Sequence, residues 1–468
     1  MADHYDVLII GGGPAGYGAA LYAGSAGLNV GLVERDKVGG TCLHRGCIPA
    51  KELLETAATN RHVQHAKEYG VLAEVSGIDW GTSLARKQSI VTMNWKGLQG
   101  TLKKRGVTTH EGTGTLGADR TVTVTAADGS TSQLTADSVI LAAGSVVRTI
   151  PGFDVDGTVV VTSDEMLDIP ELPATAVVIG GGAIGCEFAS MLADLGTKVT
   201  ILEGLPKILP GCDEDVTKVV VRSFGKKGID IRTGVRVTGH TPKPGGGTVV
   251  QVEGGDPVET DLVCISVGRR PFSESLGLDG SGVQVDDRGF VTVDEHCRTS
   301  VDGVWAIGDL IATPALAHVG FAEAIVAVQD MLGEAAVPVD YTKVPWCIYC
   351  SPEVAFAGYS EQAARDAGYD VVTHTSQYSH NARAMIVNQP EGMVKVIAEK
   401  GPDDSKPGRV LGVHMVGPWV TEQLTGGYLA VNWEATVDEV AHFIQPHPTM
   451  SEVFGEAFLA LAGRALHG

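Results

Sequence analysis

The chain has 468 residues, 44% of them hydrophobic and 61 of them glycine, and carries a formal net charge of −21. That length suggests roughly three domains with ample core. The acidic balance excludes nucleic acid as the default partner, because phosphate binding needs a positive surface, and no apolar run reaches the roughly 18 residues expected of a membrane-spanning helix.

In chain order, the first element is the apolar run Val7–Ile10, leading into Gly11-Gly12-Gly13-Pro14-Ala15-Gly16. No small-residue cleavage site follows that run, which predicts a cytoplasmic protein. In a reducing cytosol the eight cysteines are not expected to form structural disulfides, so a pair that cycles is catalytic or sensory. The glycine run opens a helix-compatible segment over Tyr17–Gly27, and a β-rich run Val30–Val33 then ends in Glu34. The whole unit recurs: Ala176–Ile179, Gly180-Gly181-Gly182-Ala183-Ile184-Gly185, a helix over Cys186–Leu195, a strand over Val199–Leu202 and Glu203. The copies begin 169 residues apart, and each glutamate falls 23 positions after its first motif glycine.

Physics accounts for that spacing. Gly11 and Gly180 permit a tight strand-to-helix turn, Gly13 and Gly182 let a pyrophosphate approach the backbone, and Gly16 and Gly185 allow close helix packing on the sheet. The helix amino terminus favours phosphate charge. A carboxylate at the second strand tip accepts from ribose hydroxyls and repels a 2′-phosphate. Two such units with matched acids predict two dinucleotide sites.

Between the copies comes Gly39-Gly40-Thr41-Cys42-Leu43-His44-Arg45-Gly46-Cys47-Ile48-Pro49-Ala50-Lys51. Two cysteines five positions apart can bridge only where the backbone brings them side by side, and thiolate–disulfide exchange would then run through a mixed disulfide. Ser138–Gly144 and Leu262–Gly268 read as buried closing strands that end in glycine, and Gly303–Asp309 as a third such run with a terminal carboxylate. Lys243–Gly247 and Gly401–Gly408 read as exposed turns. Beyond Pro345 the pattern changes to mixed strands and helices without glycine fingerprints. There Trp346-Cys347-Ile348-Tyr349-Cys350 contains WCxxC, but no second CxxC follows and Pro352 interrupts a helix start, so neither a zinc site nor a thioredoxin motif is expected. No metal site is expected anywhere.

Near the carboxy terminus stands His447-Pro448-Thr449-Met450-Ser451-Glu452. Imidazole has the right intrinsic pKa to take a proton from one thiol and return it. Thr449-x-x-Glu452 also fits a capping box, so helix capping competes with orientation of His447 as the role of Glu452.

The CxxxxC segment, the AIGD run and this hexapeptide resemble the flavin disulfide reductases, the family of dihydrolipoamide dehydrogenase, glutathione reductase and mercuric reductase, over essentially the whole chain. The resemblance implies an α/β fold with two Rossmann-like dinucleotide-binding domains and an α+β dimerisation domain. Its expected division is 1–150 and 271–345 for an FAD-binding domain in two parts, 151–270 for an NAD-binding domain and 346–468 for dimerisation. It implies Cys42 as the interchange thiol, Cys47 as the thiol facing the flavin, and His447 with Glu452 as acid–base pair, acting on the other subunit of a homodimer. It implies FAD contacts from Gly11, Gly13, Gly16, Glu34, Lys51, Gly114, Ala143, Gly144, Ser145, Asp309 and Ala317. NAD contacts would come from Gly180, Gly182, Gly185, Glu187, Glu203, Val237 and Gly268. Lys51 would pair with Glu187, for which a solvated surface ion pair is the plain alternative.

Because Glu203 is followed by Gly204-Leu205-Pro206 rather than arginines, the expectation is NAD. With it goes oxidation of a dihydrolipoamide borne by a protein of a 2-oxo acid dehydrogenase or glycine cleavage complex. His44-Arg45 and Pro446 depart from the usual family residues and leave open an NAD(P)H-dependent reductase of a low-molecular-weight disulfide.

Overall fold

The computed structural model describes residues 3–401 and 406–467; part of the expected turn Gly401–Gly408 thus lies outside the described residues. Strand Asp3–Ile10 pairs in parallel with Val30–Glu34 on one side and Thr131–Leu141 on the other. Thr108–Glu111 extends the sheet beyond Val30–Glu34. An antiparallel extension, Thr121–Thr125 and Thr113–Leu116, joins Thr131–Leu141. After Leu141 the chain leaves this sheet and returns far downstream, where Val304–Ala306 pairs in parallel with Thr131–Leu141. The central parallel stretches Val7–Ile10, Val30–Val33 and Val139–Leu141 are near-continuous apolar runs because both their faces are covered: Leu8, Ile9, Val30, Leu32, Ile140 and Leu141 are buried.

The excursion builds a second, all-parallel sheet in the order Asp230–Thr233, Lys198–Glu203, Thr175–Ile179, Leu262–Ile265, Val160–Thr162. A short antiparallel ribbon, Ser145–Val147 with Arg269–Pro271, ties the two sheets' chains together where the excursion begins and ends. The last unit is a five-stranded antiparallel sheet of Trp346–Ile348, Glu353–Gly358, Pro407–Gly417, Met393–Lys400 and Val371–Gln377. Helices Thr425–Asn432 and Glu452–Leu461 pack on it around Phe454, Phe458 and Val413.

Both motif helices begin earlier than the sequence pattern predicts, at Pro14 and Ala183, and end earlier, at Ser25 and Asp194. Proline is compatible with a first helical turn, whose N–H groups have no partner in the helix, so Pro14 opens the first helix directly behind Gly13. The predicted strand Ser138–Gly144 runs instead over Thr131–Leu141, and Leu262–Gly268 stops at Ile265. In each, the final residues turn out of the sheet beneath the motif glycines. Gly11 and Gly180 sit at φ +108° and +109°, where a Cβ would strike the carbonyls of Ala142 and Ser266.

Candidate active site

A cavity of about 1410 Å³ opens where the two nucleotide units face each other, and its wall includes Gly11, Gly13, Glu34, Cys42, Cys47, Lys51, Gly180, Gly182, Glu187 and Glu203. The positions expected to touch cofactor farther along the chain line it too: Gly114, Ala143, Gly144, Ser145, Val237, Gly268, Asp309 and Ala317. Gly16 and Gly185 are not in the wall. A Cβ on either would strike the carbonyl of Gly11 or Gly180, so they serve the close packing of helix on strand.

The acidic strand tips are built alike. Glu34 accepts from the Gly12 N–H at 2.6 Å through one oxygen and from the Asp36 N–H at 2.9 Å through the other. Glu203 accepts from the Gly181 N–H at 2.5 Å and the Leu205 N–H at 2.6 Å. Each carboxylate therefore clamps its own glycine loop and keeps spare lone pairs for hydroxyl donors. Beside them Gly182 has open space where a Cβ would stand, and Gly13 has only the Gly40 Cα, at 4.0 Å. Two helix amino termini with backbone exposed by glycine, each next to a fixed carboxylate, fit two dinucleotides.

Cys42 and Cys47 form a disulfide with Cα atoms 4.7 Å apart. Cys42 lies in the short helix Gly40–Arg45, and Cys47 opens the long helix Cys47–His65. The chain breaks between them at Gly46, and this break lets a five-residue spacing close. The residues that depart from the usual pattern tie this loop down. The His44 ring Nε2 donates to the Val38 carbonyl at 2.9 Å, and Arg45 donates to Asp36 at 2.9 Å.

Lys51 stands one helical turn beyond Cys47, on the same face. Its Nζ reaches both oxygens of Glu187, at 2.9 and 2.8 Å. The Tyr349 N–H donates to the same carboxylate at 2.9 Å, and the Tyr349 ring lies 4.8 Å from the Lys51 Nζ. Glu187 is 8% exposed and Lys51 34%, so this is a pair in the cavity wall and not a solvated surface bridge.

Three contributors escaped the sequence reading. Glu323 is fully buried and accepts from the Gly308 N–H at 2.6 Å, the Thr313 hydroxyl at 2.8 Å and the Tyr341 hydroxyl at 3.0 Å, fixing the turn that carries Asp309. Burial pushes its carboxyl above the usual range against those bonds. Arg269 and the Tyr349 amide are the other two. A glutamate within a helix, an arginine after a glycine and a backbone N–H carry no local mark of such long-range partners.

His447 and Glu452 lie outside the cavity. The His447 ring is 75% exposed, with Nδ1 2.8 Å from a Glu452 oxygen. A carboxylate only accepts, so Nδ1 carries the proton and Nε2 is free. The other Glu452 oxygen accepts from the Thr449 N–H at 2.8 Å, while the Thr449 hydroxyl donates to the Pro446 carbonyl at 2.7 Å. The expected capping box is thus half made: the glutamate reaches back, but the threonine turns away from the helix. Burial pushes the Glu452 carboxyl up, and Thr449 and His447 together hold it below its ordinary value.

Of the WCxxC pair, Cys347 lines the cavity and Cys350 is buried. Burial pushes the Cys347 thiol up to about 11 and raises that of Cys350 further, which suppresses the thiolate that exchange or metal binding needs. Among the described residues no group of three His, Cys, Asp or Glu side chains could hold a metal ion, and no helix is long and apolar enough to cross a membrane.

The sequence matches the family described as pyridine nucleotide-disulphide oxidoreductase over residues 5–324, and its dimerisation domain over residues 344–458. It is 38% identical to a dihydrolipoyl dehydrogenase of Bacillus subtilis over the whole of both chains. It is 37% identical to a dihydrolipoyl dehydrogenase of Mycobacterium tuberculosis, covering 99% of each chain. Among solved structures, LpdA of Mycobacterium tuberculosis superposes with a TM-score of 0.91 at 28% identity, covering 98% of this chain and 100% of that one. The HOCl-induced flavoprotein disulfide reductase RclA of Escherichia coli superposes with a TM-score of 0.85 at 26% identity, over 97% and 99%.

Proposed function

The chain belongs to the pyridine nucleotide-disulphide oxidoreductase family, and we propose that within it this protein is a dihydrolipoyl dehydrogenase, oxidising dihydrolipoamide to lipoamide and reducing NAD to NADH. The observation that carries this reading is the convergence of one disulfide and two glycine-and-glutamate cradles on a single cavity. Gly11, Gly13, Glu34 and Asp309 would hold FAD; Gly180, Gly182 and Glu203 would hold NAD. FAD, when bound, relays an electron pair between sulfur and nicotinamide.

The protein's own residues carry the sulfur chemistry. A substrate thiolate attacks the Cys42 sulfur, the Cys42–Cys47 bond breaks, and Cys47 leaves as thiolate. The second substrate thiol then attacks the mixed disulfide, forming lipoamide and freeing Cys42. His447, with Nδ1 anchored on Glu452, takes up the proton at Nε2. Lys51, locked to Glu187, places a cation one turn from Cys47, where it favours the thiolate.

His447 lies on the dimerisation unit and faces outward, so the working site combines Cys42 and Cys47 of one protomer with the histidine of the other in a homodimer. The lipoyl group arrives on a protein of a 2-oxo acid dehydrogenase or glycine cleavage complex, in the cytoplasm. A small free disulfide was suggested by His44 and Arg45, and both side chains are turned to Val38 and Asp36. The test is Cys47→Ser: lipoamide turnover is lost while the flavin stays bound, and retained turnover would refute the assignment.

A further inference from the structure

Arg269 follows Gly268 at the end of the second nucleotide unit and opens the strand that pairs with Ser145–Val147. Its side chain is 17% exposed. The guanidinium Nε donates to the Ser145 hydroxyl at 2.7 Å, and Nη2 donates to the Ser145 carbonyl at 2.8 Å and to the Thr41 hydroxyl at 3.4 Å. Ser145 in turn donates to Asp309 at 2.6 Å, and Nε lies 3.9 Å from that same Asp309 oxygen. One cation from the NAD side thus touches the residue next to Cys42 and, through Ser145, the acid on the flavin side.

Neither carboxylate near that cation takes a hydrogen bond from it. Asp309 is within ion-pair range but takes its short hydrogen bond from Ser145. Asp164 feels both Arg269 and Arg45, yet its Oδ1 is buried and has no hydrogen-bond partner. Burial pushes the Asp164 carboxyl up and the two arginines pull it back. Arg45 itself is held by Asp36.

We propose that Arg269 is a positioning residue for the Cys42–Cys47 couple: it fixes Thr41, Ser145 and Asp309 in one network, and its charge favours the reduced, thiolate-bearing couple over the disulfide. The proposal rests on the dehydrogenase reading for the dithiol that reduces the couple. In that step the dithiol gives up two electrons and two protons. Both electrons go to the sulfur pair, one proton stays on a protein thiol, and the other leaves through His447, so one thiolate remains. A disulfide is neutral and a thiolate is not, so a nearby cation shifts this equilibrium toward reduction.

The experiment equilibrates FAD-loaded wild type, Arg269→Met, Arg269→Gln and Arg269→Lys with graded mixtures of reduced and oxidised dithiothreitol. Acid quenching and alkylation then count the reduced Cys42 and Cys47 by mass. Loss of the charge should demand a roughly tenfold higher ratio of reduced to oxidised dithiothreitol at half-reduction, about 30 mV for a two-electron couple. Arg269→Lys, which keeps the charge, should recover most of that shift, and Arg269→Gln carries the test if Arg269→Met does not fold. A wild-type midpoint in Arg269→Met or Arg269→Gln, or a lysine variant as shifted as the neutral ones, would overturn the proposal. A wild-type couple that dithiothreitol cannot reduce would overturn the dehydrogenase reading as well, and is distinguished by appearing before any substitution.

Discussion

His414 lies in the strand Pro407–Gly417, fully buried, with its ring stacked 5.1 Å from that of Phe356. Nε2 donates to the Tyr359 carbonyl at 2.9 Å, and Nδ1 has no partner. A second proton would have to sit on that unpartnered nitrogen. Burial therefore pushes the imidazole from 6.5 down to about 4, with Asp213 opposing and Lys395 reinforcing. A base with a depressed folded pKa binds fewer protons in the native state than in the unfolded chain. Its stability contribution is full above the unfolded value near 6.5, and is lost as pH falls from there toward the folded value. Between about pH 7 and about pH 5 the loss works out at about 2 kcal/mol. The neighbouring carboxylates Asp213 and Asp215, both held low, keep their contribution until pH drops below the ordinary carboxylate range, so they do not act in that window. His414→Gln keeps a donor for Tyr359 and removes the titration. Urea unfolding of FAD-loaded protein, at fixed concentration and at both pH values, should show wild type losing about 2 kcal/mol more than the variant. Equal losses would refute the reasoning.

Lys395→Met should destabilise by about 3 kcal/mol or more in the same unfolding assay, because Lys395 is buried against Asp213 at 3.0 Å, Asp215 at 2.7 Å and Glu361 at 2.8 Å, and its removal leaves Asp213 buried without a cation. Glu203→Gln must turn an NH₂ toward either the Gly181 or the Leu205 N–H; loss of one such bond should raise the KM for NAD roughly tenfold with little change in kcat. His447→Gln should lower lipoamide turnover by a factor on the order of 10² to 10⁴, while excess dithiothreitol, given time, still reduces the Cys42–Cys47 disulfide fully.

The two nucleotide cradles were readable because their signals are local, whereas wall positions such as Gly114, Val237 and Ala317 were suggested only by family resemblance. A glycine at a strand end, two more at fixed offsets and an acid at the next strand tip are dictated by one turn of backbone, and the structure repeats that turn at Gly11 and Gly180. The Lys51–Glu187 pair spans 136 positions, so only family resemblance could suggest it. Nothing in the sequence could show that a dimerisation-unit amide, that of Tyr349, completes it. Glu323 and Arg269 carried no local signal either: the partners of Glu323 lie 10 to 18 positions away, and Ser145 meets Arg269 only through the ribbon that joins the two nucleotide units. Helix starts were misplaced by three residues, because the end of the glycine motif is itself helical.

The hexapeptide at His447 shows how the two kinds of information combine. Its local chemistry is complete within one chain, with Nδ1 fixed on Glu452 and Glu452 fixed on Thr449, so the sequence alone suggests an oriented imidazole. Its purpose is not, because His447 lies outside the cavity wall and the adjoining Phe443 and Ile444 are 65% and 96% exposed. Apolar side chains left this bare beside an oriented base are a cost in water, and burial against a second copy through the dimerisation unit would remove it. That burial is also what would carry Nε2 to a disulfide, since proton transfer needs hydrogen-bond reach. On the proposed reading the exposed flank and the missing base are one feature: the surface left uncovered is the one whose covering would complete the site.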